Sequence, residues 1–154
     1  MSGPPNWNWL ARVTNSHDAG SRLLEVSDRT NSAHYSYLTD SPLVQRIAFK
    51  QSGATRLTTT KTHDNLNRLS AINSSNGVAG VVSAHAYQLN SANQRTASTT
   101  AEGSYWVYQY DALGQVISGK KHWSDGTPVA GQHVILRVRT SQGVAGQNQP
   151  PRGA

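Results

Sequence analysis

Polar and apolar positions in this chain alternate in short runs, punctuated by Asp, Asn and Gly. The clearest run is Tyr105-Trp106-Val107-Tyr108-Gln109-Tyr110. Aromatic or branched at every position but one amide, it predicts a strand. A period of two puts Trp106, Tyr108 and Tyr110 on one face. Asp111-Ala112-Leu113-Gly114 then reads as a four-residue turn, with Asp favoured at its first position and Gly at its last. Gln115-Val116-Ile117-Ser118 resumes as the return strand. The segment is a predicted hairpin.

The pattern repeats. His63-Asp64-Asn65-Leu66-Asn67-Arg68-Leu69 matches residues 110–116 position by position, and Leu89-Asn90-Ser91-Ala92-Asn93-Gln94-Arg95 is a weaker copy, with Asn for Asp and Asn for Gly. His17-Asp18-Ala19-Gly20-Ser21-Arg22-Leu23 is another, and residues 37–43 are a degenerate fifth. The copies are anchored at His17, Tyr37, His63, Leu89 and Tyr110. Between or after these anchors fall Ser52-Gly53, Asn76-Gly77, Glu102-Gly103 and Asp125-Gly126. Such pairs favour type I′ turns, which need positive φ at both central residues. Each unit therefore reads as strand, Asp-x-x-Gly turn, strand, x-Gly turn. The expected turn residues are Asp18, Asp64, Asn67, Asn90, Asn93, Asp111 and Gly114. Asp111 should accept a bond from a backbone N–H two or three residues on. The expected fold is all-β: about ten short antiparallel strands, hairpin after hairpin, in a curved or spiral sheet.

Residues 110–116, ending in Ser118-Gly119, resemble the tyrosine–aspartate (YD) repeat of Rhs proteins, and residues 17–23, 63–69 and 89–96 resemble diverged copies. The resemblance spans residues 9–131. It implies a spiral of hairpins forming part of a hollow β-shell, as in polymorphic toxins, wall-associated proteins and teneurins. Such a shell encloses a C-terminal effector or presents an adhesion face. In that family the repeat is scaffold: its Asp and Gly make the turn, and its Tyr packs between hairpins. The implied partners are the remaining repeats of a parent chain and an enclosed toxin domain, and the implied location is secreted or cell-surface.

Three segments follow: a lead-in over 1–8, the repeats over 9–131, and a basic Gly/Gln/Pro-rich tail over 132–154 that is expected to be disordered. His133-Val134-Ile135-Leu136-Arg137-Val138-Arg139 could add one more strand. No further tyrosine–aspartate unit appears where the next is due. A truncated or frameshifted gene end would produce such a tail, as would a hypervariable tip. The expectation taken is a truncated fragment of a longer array.

Composition agrees with strands. Ser, Thr, Asn and Gln supply 52 of 154 residues, and such residues weaken helix interiors. No stretch approaches the roughly 20 apolar residues of a membrane-spanning helix. Zero Cys removes disulfides and thiolate chemistry. The net charge is +6, but Lys and Arg form no cluster beyond the pair Lys120-Lys121, so nucleic acid is not an expected partner.

The chemistry-bearing residues have structural readings. His17 and His63 occupy the repeat's tyrosine slot, and no His pair has metal-site spacing. Asp18, Asp64 and Asp111 each head a turn, which favours turn capping over an acid/base set. There is no Gly-x-Ser-x-Gly elbow and no glycine-rich phosphate loop. No catalytic residue, cofactor or metal is therefore expected. Trp106, Tyr108, Tyr110 and Trp123 remain. They either pack against neighbouring hairpins or stack on sugar rings. A non-enzymatic scaffold is the first reading, and a surface module for carbohydrate is the alternative.

Overall fold

The structure, a computed structural model, describes residues 12–77 and 80–135. The lead-in with Trp7, the repeat's first residues 9–11 with Trp9, and the tail from 136 onward lie outside the described residues. Eleven strands run in order: β1 (Thr14–His17), β2 (Leu23–Asp28), β3 (Asn31–Tyr37), β4 (Val44–Gln51), β5 (Ala54–His63), β6 (Leu69–Asn76), β7 (Gly80–Leu89), β8 (Arg95–Thr100), β9 (Tyr105–Tyr110), β10 (Val116–His122) and β11 (Pro128–Ile135). They form one sheet in chain order, each strand antiparallel to the next. The fold is an all-β array of hairpins, and the described residues contain no helix.

Polar strands hold this sheet together through cross-strand pairs. Thr59 faces Ser74 directly, and their hydroxyls lie 3.0 Å apart. Ser118 faces Gln109 and donates to its Oε1 at 2.8 Å. Such pairs each contribute a fraction of a kcal/mol, up to about 1, and accumulate along the ladder. A buried apolar core is missing: among the described residues only Ala48, Ser104, Ser118 and Gly119 are buried. Every strand packs only on its sequence neighbours, the quasi-one-dimensional arrangement of repeat arrays.

The two faces differ. The register places Val26, Ala33, Phe49 and Leu57 in one cross-strand row, with Tyr35 and Ile47 in the next. The same face carries Ile72, Tyr87 and Trp106. The opposite face carries small polar residues such as Ser27, Thr60, Asn73 and Gln109, together with the larger His34, Arg46, Tyr105 and Val107.

His17, Tyr37, His63, Leu89 and Tyr110 end β1, β3, β5, β7 and β9, so all five turns that follow them lie on one edge. At each anchor the register also shifts by a residue. A β-bulge bends its strand and increases its twist, so five bulges along one edge work together on the sheet's curvature.

Two expectations change. Of the x-Gly turns on the other edge, only Ser52-Gly53 has positive φ at both residues, 49° and 79°. Gly103 and Gly126, at 84° and 88°, are instead the single left-handed residues of three-residue loops. Gly77 is not left-handed. An x-Gly pair is compatible with both loop lengths, and strand register selects between them. The boundary at 131/132 also falls inside a strand, because Val134 and Ile135 pair with Gly119 and Ser118. A ladder needs only backbone groups, so β10 templates β11 after the repeat motif has ended.

Candidate functional site

The anchor edge is the most regular part of the molecule. In the loop at 111–115, the N–H of Asp111 donates to the Gln115 carbonyl at 2.9 Å, and the N–H of Gly114 donates to the Asp111 carbonyl at 3.1 Å. The loops at 18–22, 64–68 and 90–94 repeat this scheme. It is a type I turn followed by a left-handed residue. That fourth residue is Ser21 (φ 61°), Asn67 (60°), Asn93 (62°) and Gly114 (80°) in the four loops.

The first side chain of each loop organises the rest. Asp111 Oδ1 accepts from the N–H of Leu113 at 2.9 Å and of Gln115 at 2.8 Å. Asp18 Oδ1 accepts from Gly20 and Arg22, both at 2.9 Å. Asp64 Oδ1 accepts from Leu66 at 2.9 Å and Arg68 at 3.0 Å, and Asn90 Oδ1 from Ala92 and Gln94, both at 3.0 Å. The bonds thus fall two and four residues on, rather than two or three. The N–H three residues on is already engaged by the first residue's own carbonyl.

Two arginines then join loop to loop. Arg22 Nε donates to Asp18 Oδ2 at 2.7 Å, while its Nη1 reaches the Ser41 carbonyl of the next loop on the edge, also at 2.7 Å. Arg68 Nε donates to Asp64 Oδ2 at 2.7 Å, and its Nη1 reaches the Asn90 carbonyl at 2.8 Å and Asn93 Oδ1 at 3.0 Å. The backbone N–H groups of Arg22 and Arg68 are the main cause holding the Asp18 and Asp64 carboxyls below the ordinary carboxylate range, and the guanidinium bonds act in the same direction.

The aromatic row lies on the apolar face. The rings of Trp106 and Tyr108 are nearly parallel, 9° apart, with centroids separated by 6.3 Å. They cover Gly119, where a Cβ would meet Tyr108 at 3.4 Å and Trp106 at 3.6 Å. The Tyr110 hydroxyl donates to the Arg95 carbonyl at 2.8 Å, and Tyr37 makes the equivalent bond to the Leu23 carbonyl at 2.7 Å. Each tyrosine reaches back to the return strand of the preceding hairpin. Leu89, Asn93, Arg95, Tyr108, Tyr110 and Val116 line a shallow depression of about 420 Å³. Trp123 stands apart in the loop on the opposite edge, 51% exposed, with Lys121 Nζ 6.0 Å from its ring.

Residues 90–123 match the family model described as RHS Repeat. This stretch of the chain is an RHS repeat. No curated protein matches the chain. Among solved structures it is similar to the Photorhabdus luminescens Tc holotoxin pore, with 14% identity and a TM-score of 0.41. It is similar also to TcdB2-TccC3-Cdc42, at 16% and 0.41, and to TcdB2-TccC3-TEV, at 14% and 0.42. In each case the likeness covers 70% of this chain and 7% of the other.

The RHS repeat contains β8, β9 and β10, the loops headed by Asn90 and Asp111, and the row Trp106, Tyr108 and Tyr110; Trp123 is its last residue. Outside it, His63 occupies the position of Tyr110, and its Nδ1 is buried without a partner. An imidazole is shorter than a phenol, so it falls short of the carbonyl that a tyrosine would reach. Among the described residues, no three His, Asp or Glu side chains gather as a metal site. Sequence reasoning missed the linking arginines. Their signal was present in Ser21-Arg22 and Asn67-Arg68, where the residue closing the loop is basic; in the RHS repeat it is Gln94 or Gln115.

Proposed function

We propose that this chain is a non-enzymatic structural segment of a secreted or cell-surface Rhs-type protein, a strip of wall that shields or presents another domain. Its partners in this reading are further repeats and an enclosed toxin domain. The observation that carries it is the linked turn edge. Asp18 and Asp64 commit their oxygens to their own loops, and Arg22 and Arg68 each hold that loop's Asp with Nε while Nη1 donates to the next loop. Charges committed in this way maintain spacing between hairpins and are not free to act on a substrate. The RHS repeat at 90–123 supports the same reading.

A second reading, carbohydrate contact, is favoured by the depression beside Tyr108 and Tyr110, where aromatic faces adjoin Arg95 and Asn93. Two measurements separate the readings. A scaffold with nearest-neighbour stability should respond locally, so Arg68→Ala should lower hydrogen-exchange protection in β5 to β8 and leave β1 to β3 unchanged. Uniform loss across the sheet would count against the array. On a glycan array the chain should show no binding above background. Saturable binding that disappears in Tyr108→Ala or Tyr110→Ala would replace the scaffold reading with the carbohydrate one.

A further inference from the structure

We propose that Asn76 is a site of spontaneous deamidation, a covalent change in the β6–β7 hairpin that is independent of any scaffold role. The reaction needs the backbone nitrogen after an Asn to reach that residue's own side-chain carbon. Here the Gly77 nitrogen gives up its proton and bonds to Asn76 Cγ. The Cγ–Nδ2 bond breaks, and the amide leaves as ammonia with that proton. Water then opens the cyclic imide at either of its carbonyls, giving Asp or isoaspartate at position 76. A side chain on the following residue crowds the ring closure, so Gly permits it best. Asn76-Gly77 is the one Asn-Gly pair of the chain.

The fold leaves this pair open and shields the others. Asn76 ends β6, and its pairing with Gly80 is the last of the β6–β7 ladder, so the peptide joining it to Gly77 lies outside the ladder. Gly77 is exposed, and its N–H donates to none of the described residues. By contrast, Asn15, Asn31 and Asn73 are each followed by a Ser within a paired strand. After Asn65, Asn67 and Asn93 the attacking nitrogen is already committed. The N–H groups of Leu66 and Arg68 donate to Asp64 Oδ1 at 2.9 and 3.0 Å, and that of Gln94 to Asn90 Oδ1 at 3.0 Å. Asn90 itself is held by its loop, with Oδ1 accepting from Ala92 and Gln94 and Nδ2 donating to Gln94 Oε1. Asp125-Gly126 has the chemistry for the same imide, by loss of water, but both partners are engaged. Asp125 Oδ1 accepts from the Thr127 N–H at 2.8 Å, and the Gly126 N–H donates to the Trp123 carbonyl at 2.9 Å. Isoaspartate would add a methylene to the main chain at the pair that closes β6 on β7, so its effect should stay near that hairpin.

Incubating the full chain for days at mildly alkaline pH, folded and in urea, tests this by peptide mapping, with an isoaspartyl methyltransferase to count isoaspartate. In the folded chain Asn76 should convert at least about tenfold faster than any other described Asn, and within about tenfold of its own rate in urea, because strand ends open at little cost. Gly77→Ala should slow the conversion at least about tenfold. Among the described residues nothing lies within 4 Å of the added methyl, and circular dichroism would check that the sheet is retained. The proposal is overturned if Asn76 survives in the folded chain while converting in urea, if another described Asn converts as fast, or if the folded Gly77→Ala protein keeps the wild-type rate.

Discussion

Gly114→Val isolates the left-handed position of the anchor-edge loop. Gly114 sits at φ 80°, where an L side chain costs about 1–2 kcal/mol, and a β-branched one lies at the upper end. A Cβ there would also stand 3.2 Å from Gln94 Nε2. That amide is the far end of a flexible side chain, so it can swing aside, at the expense of the 2.7 Å bond that Gln94 Oε1 accepts from Asn90 Nδ2. Together these give a loss of about 2 kcal/mol. With an m-value near 2 kcal/mol/M, the urea midpoint followed by tryptophan fluorescence should fall by about 1 M. Gly114→Asn should cost well under half as much, because Asn visits this conformation readily. Asn67→Gly and Asn93→Gly should stay within about 0.5 kcal/mol of wild type. The second also loses the Arg68 contact to Asn93 Oδ1, so it should be the less favourable of the two. In a Gln94→Ala background the Gly114→Val loss should persist, since backbone strain dominates it. The reasoning fails if Gly114→Val unfolds within 0.2 M of wild type, a shift of about 0.4 kcal/mol. It fails equally if Asn at 114 is as harmful as Val, or if Gln94→Ala abolishes the effect.

The same structure makes two further predictions. Asp18 and Asp64 have folded-state pKa values below the ordinary 3.8, so their contribution is fully present above that value and is lost as pH falls through the folded values. The urea midpoint should therefore be insensitive to these two groups from pH 7 to about 5 and drop below about 4. That drop should shrink in the double Asp18→Asn, Asp64→Asn protein, and an unchanged acid limb would refute the assignment. At the anchors, Tyr110→Phe removes the hydroxyl bond to the Arg95 carbonyl and should cost about 0.5–1.5 kcal/mol in urea unfolding. His63→Tyr should instead stabilise, by giving the slot a hydroxyl long enough to reach the preceding return strand. A destabilised His63→Tyr protein would show that His63 is not equivalent to Tyr110.

The sequence alone determined the elements that depend on a few consecutive residues. Period-two alternation placed Trp106, Tyr108 and Tyr110 on one face, and the Asp-x-x-Gly pattern placed the hairpin loops at 18, 64, 90 and 111. Both follow from local backbone sterics and local side-chain hydrogen bonds. The tertiary structure alone decided what depends on register between strands. It set Arg22 against Ser41 and Arg68 against Asn90, 19 and 22 residues away, because alternate loops fall on the same edge. It selected three-residue loops at Gly103 and Gly126 and a two-residue turn at Ser52-Gly53, carried β11 to Ile135, and left Arg56 as the extra residue of a bulge between β4 and β5. A one-residue shift in pairing changes which side chains meet and which face they occupy, and that pairing energy is shared by residues far apart in the chain.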